Sequence, residues 1–294
     1  MPYKQWTIGL LVLVFVLIFI ITIKTVFPPA DFPNSPFFHV DRGKSVSQIA
    51  EELKTKKFIQ SPLAFKIFVR LLGGEKRLQV GTYFFKQPTS VINITLKLTH
   101  HFLGYKPITV TVYEGMANGQ IADLLAKQIP KLSKKDFLDK TKYLEGRLFP
   151  DTYFFSPFDT VDDVIYEMNQ NFNEQIDSLR VGILISGKPL SQILTMASLI
   201  EREARTDKDR HLVSGILWKR IAIGMPLQVD VAKETYKQPG LPSAPIANPG
   251  LASIEAAIHP EASPYLYYLT GRDGKMYYAK DFAGHKKNRR LYLD

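Results

Sequence analysis

Cysteine is absent from the 294 residues, which excludes disulfide frameworks, thiolate metal sites, a cysteine nucleophile and acyl-lipid attachment at a lipobox cysteine. Any chemistry must use oxygen and nitrogen groups. A chain without thiols suits either redox compartment, so the absence does not place the protein. Also missing are a P-loop, a G-x-G-x-x-G turn, H-E-x-x-H and G-x-S-x-G. Nucleotide-binding, zinc-peptidase and common serine-hydrolase readings therefore lack support, and no cofactor is implied.

What is present describes a chain able to bury a core: 45% hydrophobic, 12% aromatic and 22% charged residues. Disorder throughout is excluded, and the length suits one large or two modest domains. The formal net charge of +10 and pI near 9.5 favour nucleic acid, anionic lipid or an anionic polymer as partner. Charge alone does not choose among them.

Residues 7–23, TIGLLVLVFVLIFIITI, carry no charge and lie between Lys4 and Lys24, with Trp6 at one edge. At 1.5 Å per residue the run covers roughly 26 Å, and flanking side chains can lengthen it by snorkelling. No A-x-A-like cleavage site follows, so residues 1–24 read as an uncleaved transmembrane anchor, with a cleaved signal peptide as the alternative. The proline-rich stretch 25–36 then reads as an extended spacer reaching about 40 Å. A short N-terminal tail and no second span favour the N-terminus inside and the bulk of the chain outside.

An internal repeat appears at an offset of 72 residues. FHVDRGKSVSQIAEEL at 38–53 aligns with VTVYEGMANGQIADLL at 110–125, matching Gly43 with Gly115, Ile49 with Ile121 and Leu53 with Leu125. Each copy predicts strand, glycine turn, helix. In the first, Ser45 and Gln48 form a capping box; in the second, Ala117 stands at the hydroxyl position, so that helix must be capped otherwise. A helix at 62–72 and a strand at 79–85 complete a βααβ order over 37–105, which resembles a LysM-type carbohydrate-binding module through Gly43, Ser45, Ile49 and Ala50. The pattern equally describes any small βα unit packing against a neighbour.

The remaining stretch, 106–294, predicts an amphipathic helix at 161–176, helices at 189–204 and 207–223, a loop-rich stretch at 224–250 and a short helix near Ile254. Strands at 265–270 and 275–279 follow, turning at Asp273-Gly274. Helices and strands mix without a strict βαβ rhythm, so the expected class is α+β.

The helix LSQILTMASLIEREAR is apolar until it reaches Glu201 and Glu203. These point about 200° apart at 100° per residue, so they cannot face one cleft. Glu201 continues the row of Leu194, Ala197 and Ala204, while Glu203 is expected to face solvent or to pair with Arg202, Arg205 or a neighbouring helix. Desolvation on an apolar face disfavours a charged carboxylate, so Glu201 is the candidate proton donor, a general acid of the kind glycosidic cleavage requires. A surface glutamate on an amphipathic helix is the plain alternative.

Four ordered blocks then carry a resemblance: EGRLFPDTYFF at 145–155, ASLIERE at 197–203, KRIAIGMPLQVD at 219–230 and GLPSAPIANPG at 240–250. Together with the anchor and the LysM-like unit, they resemble the endolytic murein transglycosylases, the YceG-like family, over essentially the whole chain. The resemblance implies that Glu201 is catalytic and that the β-1,4 bond between N-acetylmuramic acid and N-acetylglucosamine is cleaved within a strand, leaving a 1,6-anhydromuramyl end. It also implies a YceG-like catalytic domain over 106–294, periplasmic and held by a single pass in a bacterial inner membrane. Peptidoglycan glycan strands, membrane lipid and peptidoglycan synthases are the implied partners, with a role in terminating glycan polymerisation.

Other matched residues offer substrate contacts. Gln228 and Asp230 can hydrogen-bond acetamido or hydroxyl groups, or stabilise their loop; Asn248 can bond substrate or close its Asn-Pro-Gly turn. Tyr153, Tyr236 and Tyr265 present faces for sugar stacking or for the core, and Glu145 and Asp151 are further candidates. The chain departs from the family pattern at Val231 and Ala232, where Pro-Thr is usual, at Lys219 in place of a common asparagine, and at Gly284 before His285. A non-catalytic wall-binding or division scaffold is the competing class. Nucleic acid is disfavoured because the basic residues are dispersed, and the basic run 285–290 suits lipid headgroups.

Overall fold

The computed structural model describes residues 25–34, 37–41, 43–74 and 78–294. The expected membrane span at 7–23 lies outside the described residues, and among those described no single helix is long and apolar enough to cross a membrane. The chain divides into two compact units, Met1–Lys106 and Pro107–Asp294.

In the first unit the order is β1 (Phe37–Val40), α1 (Val46–Thr55), α2 (Pro62–Leu71), β2 (Gly81–Phe84) and α3 (Val91–Thr99). Gly43 turns the chain at φ +80, a left-handed conformation open to glycine. The capping box forms: Ser45 Oγ accepts from the Gln48 amide at 3.3 Å and Gln48 Oε1 accepts from the Ser45 amide at 2.8 Å. β1 and β2 pair antiparallel with Phe38 opposite Tyr83. Both belong to one core with Ile49, Leu53, Phe58, Phe65, Phe85 and Leu98.

Residues 25–34 do not form the extended spacer expected of them. Val26 and Phe32 pack onto this core, Phe32 meeting Phe58 edge-on at 5.3 Å, and Gln60 Nε2 donates to the Pro28 carbonyl at 3.1 Å. Burying an aromatic ring outweighs the stiffness of the prolines.

The second unit runs β3 (Ile108–Thr111), α4 (Asn118–Gln128), α5 (Lys134–Thr141), β4 (Thr152–Phe155), α6 (Val161–Ser186), α7 (Leu190–Glu203) and α8 (Asp207–Ala222). A 3-10 turn (Lys233–Tyr236), α9 (Leu251–Ile258), β5 (Tyr267–Thr270), β6 (Met276–Ala279) and α10 (Phe282–Tyr292) follow. Among the described residues the strands make three two-stranded antiparallel sheets. The fold is a mixture of helices and small sheets.

The internal repeat extends over both whole βααβ sets. Thr82-Tyr83-Phe84-Phe85 returns as Thr152-Tyr153-Phe154-Phe155. Tyr83 and Tyr153 each donate to the carbonyl four residues earlier, Gln79 at 2.8 Å and Phe149 at 2.6 Å. Across the hairpins, His39 bonds Thr82 at 2.8 Å and Thr111 bonds Thr152 at 3.0 Å. α4 replaces the missing serine cap with Gln120 Oε1, 2.9 Å from the Ala117 amide, and with Glu145, whose two oxygens accept from the Asn118 amide at 3.1 and 3.2 Å.

α6 runs ten residues beyond its expected end at 176, because Ile176, Leu179 and Ile183 keep packing on the core until Gly187 stops it at φ +66. α7 is buried on every side from Ile193 to Ile200. It is the central helix of a core shared with α8, α9 and the Leu227–Val229 segment.

Candidate active site

Acidic side chains are disfavoured in the last turn of a helix, where the dipole and the unpaired carbonyls are negative. α7 nevertheless ends in Glu201-Arg202-Glu203, so helix stability does not account for them. The Glu201 side chain is 7% exposed. Its Oε2 accepts a hydrogen bond from the Gly250 amide at 2.9 Å, and its Oε1 lies 3.9 Å from Arg210 Nη2. Arg210 Nη1 holds Asp207 at 2.7 Å. Gly250 is the N-cap of α9, so the donor is one that a helix start would otherwise leave unpaired.

The glycine turn of the second repeat is stitched to the Asn248-Pro249-Gly250 turn. Gly115 N–H donates to the Asn248 carbonyl at 2.8 Å, and Asn248 N–H to the Met116 carbonyl at 3.0 Å. The Asn248 side chain is consumed there: Oδ1 accepts from the Leu148 amide at 2.9 Å, and Nδ2 reaches the Met116 carbonyl at 3.0 Å and Asn118 Oδ1 at 2.9 Å. At 1% exposure, Asn248 closes the junction and has no face for a ligand.

Three other candidates also build the frame. Glu145 caps α4 and lies 3.3 Å from Asn248 Nδ2; burial raises its pKa, against the Asn118 amide. Asp151 accepts from the Thr152 amide at 2.7 Å and from Asn171 at 2.9 Å, tying β4 to α6. Tyr153 is 4% exposed and stacks on Phe155 at 5.4 Å, so its ring belongs to the core and cannot stack on a sugar.

Glu203 differs from expectation. It is half-buried, with Tyr268 of β5 and Asp230 of the loop that follows α8 beside it. Burial, with the Asp230 charge adding to it, pushes its pKa up to about 6, while the Tyr268 bond and Arg202 oppose the shift. In that loop Leu227 and Val229 are buried and Gln228 and Asp230 exposed. Gln228 sits at φ +53, its amide 3.1 Å from the Thr235 carbonyl. Tyr236, 47% exposed, donates to Asp230 Oδ1. Arg220 fastens the loop to the residue preceding β5 through the carbonyls of Leu227 at 2.5 Å and Leu266 at 2.7 Å.

His285 stacks on Tyr267 at 5.4 Å, with its pKa lowered by burial and by Arg220 and Arg289. The other stacking candidate, Tyr265, is part-buried against Tyr278 at 5.5 Å.

The sequence-derived candidates thus separate into two groups flanking the end of α7: Glu201 with the Asn248–Gly250 turn, and Glu203 with Asp230 and Tyr236. Sequence reasoning missed Arg210 and Tyr268. Arg210 carried a signal, since it stands on the buried row of α8 with Val213 and Leu217.

The sequence profile of the YceG-like family matches residues 38–233 and 234–291. The chain belongs to the YceG-like family. It is 31% identical over 304 residues to the endolytic murein transglycosylase of Bacillus subtilis strain 168, covering 87% of this chain and 84% of that protein. It is also 31% identical over 173 residues to the endolytic murein transglycosylase of Streptococcus pneumoniae strain D39, covering 49% of this chain and 31% of that protein. The crystal structure of a YceG-like protein from Listeria monocytogenes matches with a TM-score of 0.57 and 28% identity, over 85% of this chain and 98% of that one. In this YceG-like chain the two profile segments abut at Lys233 and Glu234, inside the 3-10 turn beside Asp230. Chemically, the helix end offers a carboxyl group shielded from bulk water, oriented by one backbone donor and faced by one guanidinium, which suits proton transfer.

Proposed function

We propose that this YceG-like chain is an endolytic murein transglycosylase, cleaving the β-1,4 bond between N-acetylmuramic acid and N-acetylglucosamine within peptidoglycan strands and leaving 1,6-anhydromuramyl ends. The observation that carries this reading is Glu201 itself, a shielded carboxyl whose Oε2 is held by the Gly250 amide at 2.9 Å. Glu201 protonates the departing oxygen. As a carboxylate it then takes the proton of the sugar's C6 hydroxyl as that oxygen attacks the anomeric carbon. No enzyme nucleophile is needed, unlike a retaining hydrolase.

Gln228, Asp230 and Tyr236 are the substrate-contacting groups of this reading, supported by their exposure on one loop next to the end of α7. Residues 1–24 anchor the chain in the inner membrane with its soluble units outside, supported by the uncharged run at 7–23. The 37–105 unit is LysM-like in its first four elements, β1, α1, α2 and β2, to which α3 is added. From that position the enzyme trims strands leaving the synthases and terminates their growth.

Incubating the full chain with purified glycan strands and analysing the new ends by mass spectrometry tests the reading. Anhydro ends made by the parent and absent with Glu201→Gln support it. Water-added reducing ends would make it a hydrolase, and no cleavage at all would favour a wall-binding scaffold.

A further inference from the structure

Building on that functional reading, we propose that Glu114 is a second catalytic carboxyl group, presented to the sugar beside Glu201. Glu114 sits in the turn between β3 and α4, directly before Gly115, which takes φ +76. It is exposed. Its carboxyl lies against Gly250, where an added Cβ would come 1.8 Å from Glu114 Oε1 and 2.2 Å from its Cδ. The backbone of Gly250, at φ −74 and ψ 168, is open to any residue. The Glu114 carboxyl, the end of an exposed side chain, occupies the space a Gly250 side chain would take, so a larger residue there would push it aside.

The same glycine donates its amide to Glu201, so the two carboxyl groups both lie against one residue. Among the described residues none donates a hydrogen bond to Glu114, which leaves its lone pairs free for a sugar hydroxyl. The charged groups that face it are Glu201, Arg210 and Asp207. Partial desolvation raises its pKa, and the charge Glu201 acquires on giving up its proton adds to this, with Arg210 opposing and Asp207 adding.

The pair divides the two proton transfers that Glu201 would otherwise carry out alone, and Glu114 replaces Glu201 as the base. Glu201 gives its proton to O4 of the departing N-acetylglucosamine as the C1–O4 bond breaks. Glu114 takes the proton of the C6 hydroxyl as O6 bonds to C1. One proton leaves the pair and one enters it, and return of that proton from Glu114 to Glu201 resets the centre. Arg210 offsets the single negative charge the pair keeps throughout.

The test uses the full chain on purified glycan strands. Glu114→Gln is expected to lower kcat ~100-fold with KM within threefold, and to remove the acidic limb of the kcat pH profile, which reports the base. Gly250→Ala, whose methyl displaces the Glu114 carboxyl, is expected to lower kcat in the same direction. Glu114→Asp, keeping the charge on a shorter arm, should recover part of the rate and the limb, and answers the question if either other variant is poorly folded. Glu114→Gln with kcat within threefold of an active parent would overturn the proposal, as would a lower kcat with both pH limbs intact. A parent that yields no anhydro ends removes the functional reading itself and this proposal with it.

Discussion

Glu201 and Gly250 stand 49 residues apart in the chain, and the amide of one meets Oε2 of the other at 2.9 Å. The contact joins the last turn of α7 to the first residue of α9. α7 is locked along its length by core packing from Ile193 to Ile200, so Glu201 inherits a fixed position; the Gly250 amide then fixes its rotation. A proton donor held at both points reaches its acceptor without reorganising.

Glu201→Gln should retain the fold, because the glutamine carbonyl can accept the same amide. Glycan cleavage should fall by about 10²–10⁴-fold, the usual contribution of a general acid. Initial rates of end formation check this against circular dichroism and the melting midpoint. Undiminished turnover would remove Glu201 from the chemistry.

Asn248→Ala should destabilise the second unit by about 2–4 kcal/mol, since it strands the buried Leu148 amide and removes the bonds to Met116 and Asn118. Urea denaturation measures it. A loss below about 0.5 kcal/mol would contradict the junction described for this residue.

That junction marks the boundary of what the sequence discloses. The strand, glycine turn and helix of each repeat were legible because period-two and helical patterns are local, and so was Glu201, the one carboxylate on an apolar row. The second copy's closing strand was legible in principle, as TYFF occurs at 82–85 and again at 152–155. Glu145, Asp151, Tyr153 and Asn248 could not be sorted into frame or ligand face, because their partners lie in distant segments: Asn248 and Leu148 are 100 residues apart. Glu203 was misplaced for the same reason. Its helix position leaves it open, and its neighbours Tyr268 and Asp230 come from later segments.

Tyr236 and Tyr153 should separate under mutation. Tyr236→Ala removes an exposed ring beside Asp230 and is expected to raise KM for glycan strands severalfold, the size of one lost stacking contact of about 1 kcal/mol, with little change in stability. Tyr153→Phe loses a buried bond to the Phe149 carbonyl and should cost about 1 kcal/mol of stability with KM unchanged. The reverse pattern would return Tyr153 to the ligand face and take Tyr236 off it.

Glu203 makes the stability of the protein depend on pH in a definite direction. Its pKa is raised on folding, from 4.5 to about 6, chiefly by burial and then by the Asp230 charge. The folded state therefore binds the proton more tightly than the unfolded chain. Its contribution is fully present below about pH 4.5 and is lost as pH rises through about 6. Glu203→Gln stays neutral throughout and can keep a hydrogen bond to Tyr268. Asp159, raised to about 6, and Glu167, raised to about 7, titrate in the same range but are common to both proteins and cancel in the comparison. The variant should therefore gain stability relative to the parent as pH rises, from near zero at pH 4.5 to roughly 2 kcal/mol at pH 7.5. Urea midpoints of both proteins at the two pH values measure the difference. An advantage that is absent, or equal at both, would mean that Glu203 is not held in the desolvated pocket formed with Tyr268 and Asp230.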